Sequence, residues 1–252
     1  MTARAIGIDI GGTGIKGAVV DLDAGELVTD RVKVPTPKGG EPDDIVAAVS
    51  EMVEGFGDVA KEVPIGVCFP AVVLHGVTMS AANVSKKWIG LEAEKLFETS
   101  LSRDIVFVND ADAAGVAEAR FGAAKDVDGL VIVTTLGTGI GSAFLYDGVL
   151  IPNSELGHLQ IAGDDAEHLA AFSVKEREDL DWHEWAKRLQ QFYSTVEFLF
   201  SPDLFIVGGG VSKNHEEFLP LLALATPIVP AELRNNAGIL GAAWLAARSS
   251  HD

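Results

Sequence analysis

A glycine turn near the start of the chain is flanked by two charged residues. Residues 11–14 read Gly-Gly-Thr-Gly, with Asp9 before this turn and Lys16 after it. Glycines let successive backbone N–H groups converge on an anion, and Thr13 and Lys16 add a hydroxyl donor and a positive charge. Asp9 lies too close to the turn to bind phosphate itself and suits hydrated Mg²⁺, which favours a carboxylate with water. The spacing predicts a phosphate-binding turn, with an ordinary tight hairpin as the alternative.

The same turn recurs about half a chain later. Residues 137–140 repeat the Gly-Thr-Gly-Ile of residues 12–15, so that Thr138 takes the place of Thr13. Each copy follows a short apolar run and precedes another, as the strands of a hairpin would. The repeat predicts two related domains, each opening with a strand, a glycine turn and a second strand. Because the context repeats as well, a functional turn is favoured over a chance one.

A polar pair stands where a predicted strand meets a predicted helix. Asn109 and Asp110 follow the apolar residues 104–108 and precede residues 111–121. A carboxylate at such a junction commonly faces the cleft of an α/β sheet, and Asp can accept a hydroxyl proton during phosphoryl transfer. The alternative is that Asp110 or Asp112 caps the helix. Both roles are compatible if Asp112 is the cap and Asp110 the base.

Glu155 and His158 lie in a predicted loop after the second hairpin. A metal site is weakly supported there, because His168 and His183 show no standard ligand spacing to His158. A Glu and a neutral His offer acceptors and donors that suit sugar hydroxyls. Three glycines that end a later predicted strand could let a nucleotide approach the backbone, although a triple glycine is weak evidence alone. These glycines are Gly208, Gly209 and Gly210.

Composition limits the classes of protein to consider. The chain has 252 residues, 48% of them hydrophobic, and its predicted strands and helices mix throughout, which indicates an α/β or α+β class. A formal net charge of −18 argues against nucleic acid or an anionic membrane as a partner. The single cysteine, Cys68, excludes internal disulfides and a zinc site of several thiolates, and it indicates a reduced, cytoplasmic protein. An aromatic stripe along a predicted helix at residues 181–200 is expected in the core.

The motifs together resemble those of the ROK sugar kinases, which have an actin/hexokinase-like (ribonuclease H-like) fold. The resemblance covers nearly the whole chain in order. Its parts are the first phosphate motif at residues 9–16, the catalytic segment at 109–114, the second phosphate motif at 136–141, the sugar-binding Glu-x-Gly-His at 155–158 and the adenosine-side motif at 208–211.

The resemblance implies a duplicated α/β fold with an interdomain cleft. Residues 1–109 with 237–252 would form the N-terminal domain, and residues 110–236 the C-terminal domain. A homodimer is a family expectation. Asp110 would be the catalytic base, and Asp9 would hold Mg²⁺ through water. The implied phosphate-binding residues are Gly11, Gly12, Thr13, Gly14, Lys16, Gly137, Thr138 and Gly139.

Two departures from the usual family pattern indicate which branch of the family the chain resembles. Residues 159–167 contain no cysteine, so the structural zinc of most ROK kinases is not expected. Residues 83–90 and 151–158 are instead similar to the zinc-free polyphosphate glucokinases. That match implies transfer of the terminal phosphoryl group of polyphosphate or ATP to the 6-hydroxyl of glucose or mannose. The sugar contacts it implies are Asn83, Asn109, Asp110, Glu155, His158 and Glu167.

A pair of lysines, Lys86 and Lys87, is the candidate for binding polyphosphate. Attraction of a polyanion to so acidic a chain has to be local, and this pair lies just beyond Asn83; a solvated loop pair is the alternative. Two other functions stay open. One is a strictly ATP-dependent, zinc-free hexokinase. The other is a non-catalytic sugar-binding regulator, although only eight residues precede Asp9 and leave no room for the helix-turn-helix that ROK regulators carry.

Overall fold

The computed structural model describes residues 3–249. The chain forms two compact units. Of the described residues, 3–117 and 236–249 form the first unit, and Glu118–Asn235 form the second. Among residues 3–249, no helix is both long and apolar enough to cross a bilayer.

The first unit is built on a six-stranded mixed sheet with the order β3-β2-β1-β5-β8, in which β4 also pairs with β2. β1 and β2 are antiparallel, whereas β1, β5 and β8 run parallel. A separate small hairpin joins β6 to β7. The strands are β1 (Arg4–Ile10), β2 (Ile15–Asp21), β3 (Glu26–Leu27), β4 (Val32–Val34), β5 (Ile65–Phe69), β6 (Val73–Leu74), β7 (Val77–Thr78) and β8 (Val106–Asn109).

Four helices begin in the first unit: α1 (Pro42–Gly55), α2 (Val59–Glu62), α3 (Ala93–Leu101) and α4 (Asp110–Phe121). Pro42 in the first turn of α1 has the fixed φ that a helix start requires, and Asp43 and Asp44 complement the helix dipole. The apolar face of α1 is buried in the same core as an aromatic cluster. This cluster contains Phe69, Trp88, Phe97 and Phe107.

The second unit repeats this plan with a five-stranded sheet in the order β11-β10-β9-β14-β15. β9 pairs antiparallel with β10 and parallel with β14, just as β1 pairs with β2 and β5. The predicted duplication of a strand–glycine turn–strand hairpin is therefore present in the fold. The strands are β9 (Leu130–Leu136), β10 (Ile140–Tyr146), β11 (Val149–Ile151), β12 (Gln160–Ile161), β13 (Asp164–Asp165), β14 (Leu204–Gly208) and β15 (Ile228–Pro230).

The helices of the second unit are α5 (Ala166–Ala170), α6 (Phe172–Arg177), α7 (Trp182–Phe200) and α8 (His215–Phe218). α7 begins with a capping box, in which Asp181 and Glu184 each accept from the other's backbone N–H. The predicted aromatic stripe lies in the core, as Trp185, Phe192 and Tyr193 are buried. Leu199, near the end of the same helix, has an exposed side chain.

The chain returns to the first unit as helix α9 (Ala237–Ser249), which packs on β1 and β5. Glycines make this contact close. A Cβ on Gly7 would overlap the carbonyl oxygen of Ile239, and a Cβ on Gly66 would overlap that of Ala242. The first turns of α9 therefore lie directly against β1 and β5, and β1 leads into the first glycine turn.

Candidate active site

The first glycine turn holds its two charged neighbours together. In the β1–β2 register Asp9 lies directly opposite Lys16, and Lys16 Nζ is 2.8 Å from Asp9 Oδ2. The turn itself is closed by a 3.0 Å hydrogen bond from Gly11 N to Gly14 O. Lys16, predicted as a phosphate ligand, is thus paired with the predicted magnesium residue.

Asp9 also contacts residues of β5 and α9. Cys68 lies beside it on the parallel strand β5, and the Cys68 thiol donates to Asp9 Oδ1 at 3.8 Å. Gly238 of α9 packs on the same carboxylate, since a Cβ there would lie 3.1 Å from Asp9 Cγ. Burial, and then the charges of Asp9 and Asp110, raise the pKa of Cys68 well above its ordinary value, so the thiol stays protonated. No local sequence signal marks Cys68 as part of the site.

The donor chemistry around Asp9 fits Mg²⁺ better than a metal held by protein ligands alone. Within residues 3–249, no three His, Cys, Asp or Glu side chains cluster as a metal site. Mg²⁺ commonly keeps several waters and binds through one or two carboxylates together with substrate phosphates. A single, partly exposed carboxylate such as Asp9 satisfies that requirement.

Asn83, a predicted sugar contact, packs on the first glycine turn. A Cβ on Gly12 would lie 2.8 Å from the Cβ of Asn83, closer than real side chains approach. Gly12 has no positive φ, so the turn itself does not require a glycine at this position. The close approach of Asn83 is the physical reason for it.

The strand-to-helix junction at Asn109 and Asp110 differs from the prediction in its cap. Asn109, the last residue of β8, accepts from Asp112 N at 3.0 Å through its side-chain oxygen and donates to Ala71 O at 3.0 Å. The proposal that Asp112 caps the helix is wrong: Asn109 is the cap, and Asp112 is its buried bonding partner. Asp110 is partly exposed at the first position of α4, where its Oδ1 accepts from Ala111 N at 2.8 Å.

The second glycine turn is held by side chains from the helices that follow it. Glu167 on α5 accepts from Ile140 N through Oε2 at 3.3 Å, and a Cβ on Gly139 would overlap that oxygen. Ser173 on α6 donates to Gly137 O from its backbone N at 3.0 Å and to Thr138 O from its hydroxyl at 2.6 Å. Glu167 was predicted as a sugar contact, without this contact to the glycine turn. Ser173 was missed, because nothing in its local sequence marks it.

Glu155 precedes a 3₁₀ turn, Leu156–His158, in which His158 is the last residue. The turn is anchored to the second hairpin. Ser142 on β10 donates to Ser154 O at 2.8 Å and accepts from Leu156 N at 2.9 Å. Burial raises the pKa of Glu155; the charge of His158 lowers it and that of Glu167 raises it. The predicted sugar residues of this unit therefore lie around one turn, close enough to influence one another's charge.

The remaining predicted residues have specific places. Gly209 follows β14 at φ +82°, and a Cβ there would overlap the backbone of Leu136 at the end of β9. The triple glycine thus lies against the second glycine turn. Lys86 Nζ donates to Ala81 O at 2.6 Å, and Lys87 Nζ is 2.8 Å from Glu41 Oε2. The hydrogen bond between Lys87 and Glu41 is the main cause that lowers the pKa of Glu41 and raises the pKa of Lys87.

The chain resembles known proteins over nearly its whole length. The polyphosphate glucokinase of Mycobacterium tuberculosis is 49% identical over 241 residues, which cover 95% of this chain and 90% of that protein. The crystal structure of inorganic polyphosphate/ATP-glucomannokinase from Arthrobacter sp. strain KM matches with 53% identity and a TM-score of 0.94, covering 98% of this chain and 99% of that one. A ROK family glucokinase from Streptomyces griseus, in complex with glucose and AMPPNP, has a TM-score of 0.81 at 24% identity, with 98% and 100% covered.

The fold and the motifs lead to the same assignment. The two hairpin units have the actin/hexokinase-like α/β architecture of these structural neighbours. A model of the ROK family matches residues 5–173, a span that contains both glycine turns, the Asn109–Asp110 junction and the Glu155–His158 turn. The chain therefore belongs to the ROK family.

Proposed function

We propose that this protein transfers the terminal phosphoryl group of inorganic polyphosphate, and of ATP, to the 6-hydroxyl of glucose, giving glucose 6-phosphate. The observation that carries the proposal is the near-full-length similarity to two enzymes named for this reaction, at 49% and 53% identity. Mannose is proposed as a second substrate, because one of these relatives is a glucomannokinase. The strictly ATP-dependent alternative has less support, since both relatives are named for polyphosphate.

Asp110 is proposed as the general base. Its carboxylate is partly exposed at the start of α4, and the hydrogen bond from Ala111 N holds it in one orientation. The O6 proton of glucose passes to Asp110 as the O6–P bond forms. The P–O bond to the remaining phosphate chain or to ADP breaks in the same step, and the leaving oxygen takes the electron pair.

The proposed sugar contacts are the residues that pack around the two glycine turns or beside the base. Asn109 caps α4 with its side chain and so fixes the backbone that carries Asp110. In the second unit, burial raises the pKa of Glu155, and Glu167 and His158 lie near it. These three residues form a partly desolvated polar cluster that suits hydroxyl groups. The full set is Asn83, Asn109, Asp110, Glu155, His158 and Glu167.

The phosphates of the donor are proposed to bind the backbone of the two glycine turns. Thr13 and Thr138 are exposed at the turns, where hydroxyl donors can reach an anion. Asp9 would hold Mg²⁺ through water, and this cation supplies neutralisation of phosphate charge when bound. Gly208, Gly209 and Gly210 are proposed for the adenosine of ATP.

Lys86 and Lys87 are proposed as contacts for a longer polyphosphate chain. The ion pair between Lys87 and Glu41 is exposed, so an anion of higher charge can replace Glu41 at low cost. Lys86 keeps its contact to Ala81 O and contributes its charge nearby. We further propose a cytoplasmic homodimer; the free, buried thiol of Cys68 suits a reducing compartment.

The donor assay tests the function directly. Purified protein is given glucose and Mg²⁺ with either nucleotide-free polyphosphate or ATP, and glucose 6-phosphate is measured. Product is expected with both donors. Product with ATP alone would support the strictly ATP-dependent kinase. No product with any donor would support the alternative of a non-catalytic sugar-binding protein.

Substitution of the base tests the mechanism. Asp110→Asn is expected to lower kcat with both donors by about 10²–10⁴-fold, the usual contribution of a general base. Glucose binding, measured by calorimetry, should remain detectable, because Asn keeps the shape and one acceptor of Asp. Full turnover in this variant would disprove the assignment of Asp110.

A further inference from the structure

His158, a proposed sugar contact, forms a hydrogen bond with Asp165, which is not among the predicted site residues. His158 Nδ1 lies 2.9 Å from Asp165 Oδ2, and Gln160 donates to the other oxygen of Asp165. Asp165 is on β13, which pairs antiparallel with β12 through Gln160 and Ile161. The Asp165 side chain is 26% exposed and that of His158 62% exposed. The carboxylate is therefore the fixed member of the pair, and the ring is the accessible member.

This contact defines which ring nitrogen meets a ligand. A carboxylate only accepts, so the proton of the neutral ring stays on Nδ1. Nε2 then offers a lone pair in the neutral ring and an N–H in the protonated ring. In either state the hydrogen bond to Asp165 fixes the rotation of the ring, as carboxylates do for histidines in many functional sites.

We propose that Asp165 is a positioning residue for sugar binding, which holds the His158 ring so that Nε2 meets a glucose hydroxyl. The inference rests on the proposed function, because it takes His158 as a sugar contact. Asp165 itself touches no sugar in this proposal. Its whole effect passes through His158.

The charges around the ring agree with this geometry. The hydrogen bond that His158 donates to Asp165 is the largest cause that raises the pKa of His158; burial lowers it, and the charges of Glu167, Asp165 and Glu155 raise it. These carboxylates face the ring from β13, from α5 and from the residue before the 3₁₀ turn. His158 therefore stays protonated to a higher pH than an ordinary histidine. Its charged N–H is present below that pKa and is lost as the pH rises through it.

A second Asp–His pair provides a matched control. Asp164, next to Asp165 on β13, accepts from His168 Nδ1 at the same 2.9 Å. That pair is exposed, with side-chain exposures of 60% for His168 and 56% for Asp164, and the pKa of His168 is raised by its carboxylate as well. His168 is not among the predicted sugar contacts. The two pairs have the same chemistry on adjacent residues, and one of them is outside the proposed site.

The experiment compares Asp165→Asn with Asp164→Asn and His158→Gln in the full chain. KM for glucose, KM for polyphosphate and kcat are measured, and histidine pKa values are followed by NMR. Asp165→Asn is expected to raise the glucose KM about tenfold, the lower end of the effects of carboxylates that orient metal-ligating histidines. It should lower the pKa of His158 and leave the polyphosphate KM unchanged. Asp164→Asn should lower the pKa of His168 and leave the glucose KM unchanged.

The outcomes separate this inference from the proposed function. A raised glucose KM in His158→Gln with an unchanged value in Asp165→Asn would overturn the positioning role alone. Equal rises of the glucose and polyphosphate KM in Asp165→Asn would show a general structural effect and overturn it too. An unchanged glucose KM in His158→Gln would disprove His158 as a sugar contact, and the inference with it, while product formation would still support the kinase activity.

Discussion

The two glycine turns have the same hairpin frame, but the polar residues around them come from different parts of the chain. In the first, Asp9 and Lys16 lie opposite each other in the hairpin register and form a 2.8 Å ion pair. In the second, the residue that pairs as Asp9 does is Thr135, which lies opposite Gly141, so the hairpin supplies no ion pair. The residue before it, Thr134, has its hydroxyl 2.7 Å from the buried Tyr193 hydroxyl and belongs to the core. The carboxylate of the second turn comes instead from Glu167 on a later helix.

In both turns, a glycine is needed because another side chain packs against it. None of the glycines at residues 11–14 or 137–139 has a positive φ, so none is required by turn conformation alone. Gly12 is crowded by Asn83, and Gly139 by Glu167. In each turn a glycine therefore allows a predicted sugar-binding side chain to pack against the backbone that is proposed to bind phosphate. The hairpin is the common scaffold, and the residues packed on it differ.

The largest effect is expected from removing the charge that distinguishes the first turn. Asp9→Asn should lower kcat/KM for both donors by roughly 10²-fold, because the carboxylate that would hold the Mg²⁺ that neutralises phosphate charge is lost. The apparent requirement for Mg²⁺ should move to higher concentration, which a titration of activity against Mg²⁺ measures. A variant with unchanged Mg²⁺ dependence would contradict the role given to Asp9.

An intermediate effect is expected from filling the crowded space at the second turn. Gly139→Ala should displace the flexible end of Glu167 and raise the glucose KM roughly tenfold, as loss of one charge-assisted hydrogen bond would. Gly137→Ala is the matched control, because no described heavy atom lies within 4 Å of its Cβ position. It should leave the glucose KM unchanged. Equal effects of the two variants would show that close packing of Glu167 is not what Gly139 provides.

The smallest effect on activity is expected at Thr134, a buried residue of the strand that leads into the second turn. Thr134→Val leaves the buried Tyr193 hydroxyl without its Thr134 partner and should lower the free energy of unfolding by about 1–3 kcal/mol, measured with urea. Turnover should change less than twofold, since Thr134 is fully buried. The double variant Thr134→Val/Tyr193→Phe should recover part of the stability, because both polar groups are then absent. A loss of turnover comparable to that of Asp9→Asn would contradict the assignment of Thr134 to the core.

Much of the fold was predictable because its signals are local. Two copies of a glycine turn between apolar runs predicted both hairpins, and alternating polarity and turn residues act over a few neighbouring residues. The strand that ends at Asn109 and the helix that follows it were also visible. Even so, Asn109 and Asp112 are both good cap residues, and the choice depended on where β8 ends. Only the observed hydrogen bond from Asp112 N to Asn109 decided it.

The sequence by itself determined the two hairpins, the strand-to-helix junction at Asp110 and the resemblance to sugar kinases. The tertiary structure alone decided which groups meet there. Cys68 lies beneath Asp9 because β5 pairs in parallel with β1, and Asp165 meets His158 because β12 and β13 form a small hairpin. Such contacts depend on strand register and helix packing between distant segments, for which one sequence carries no local signal.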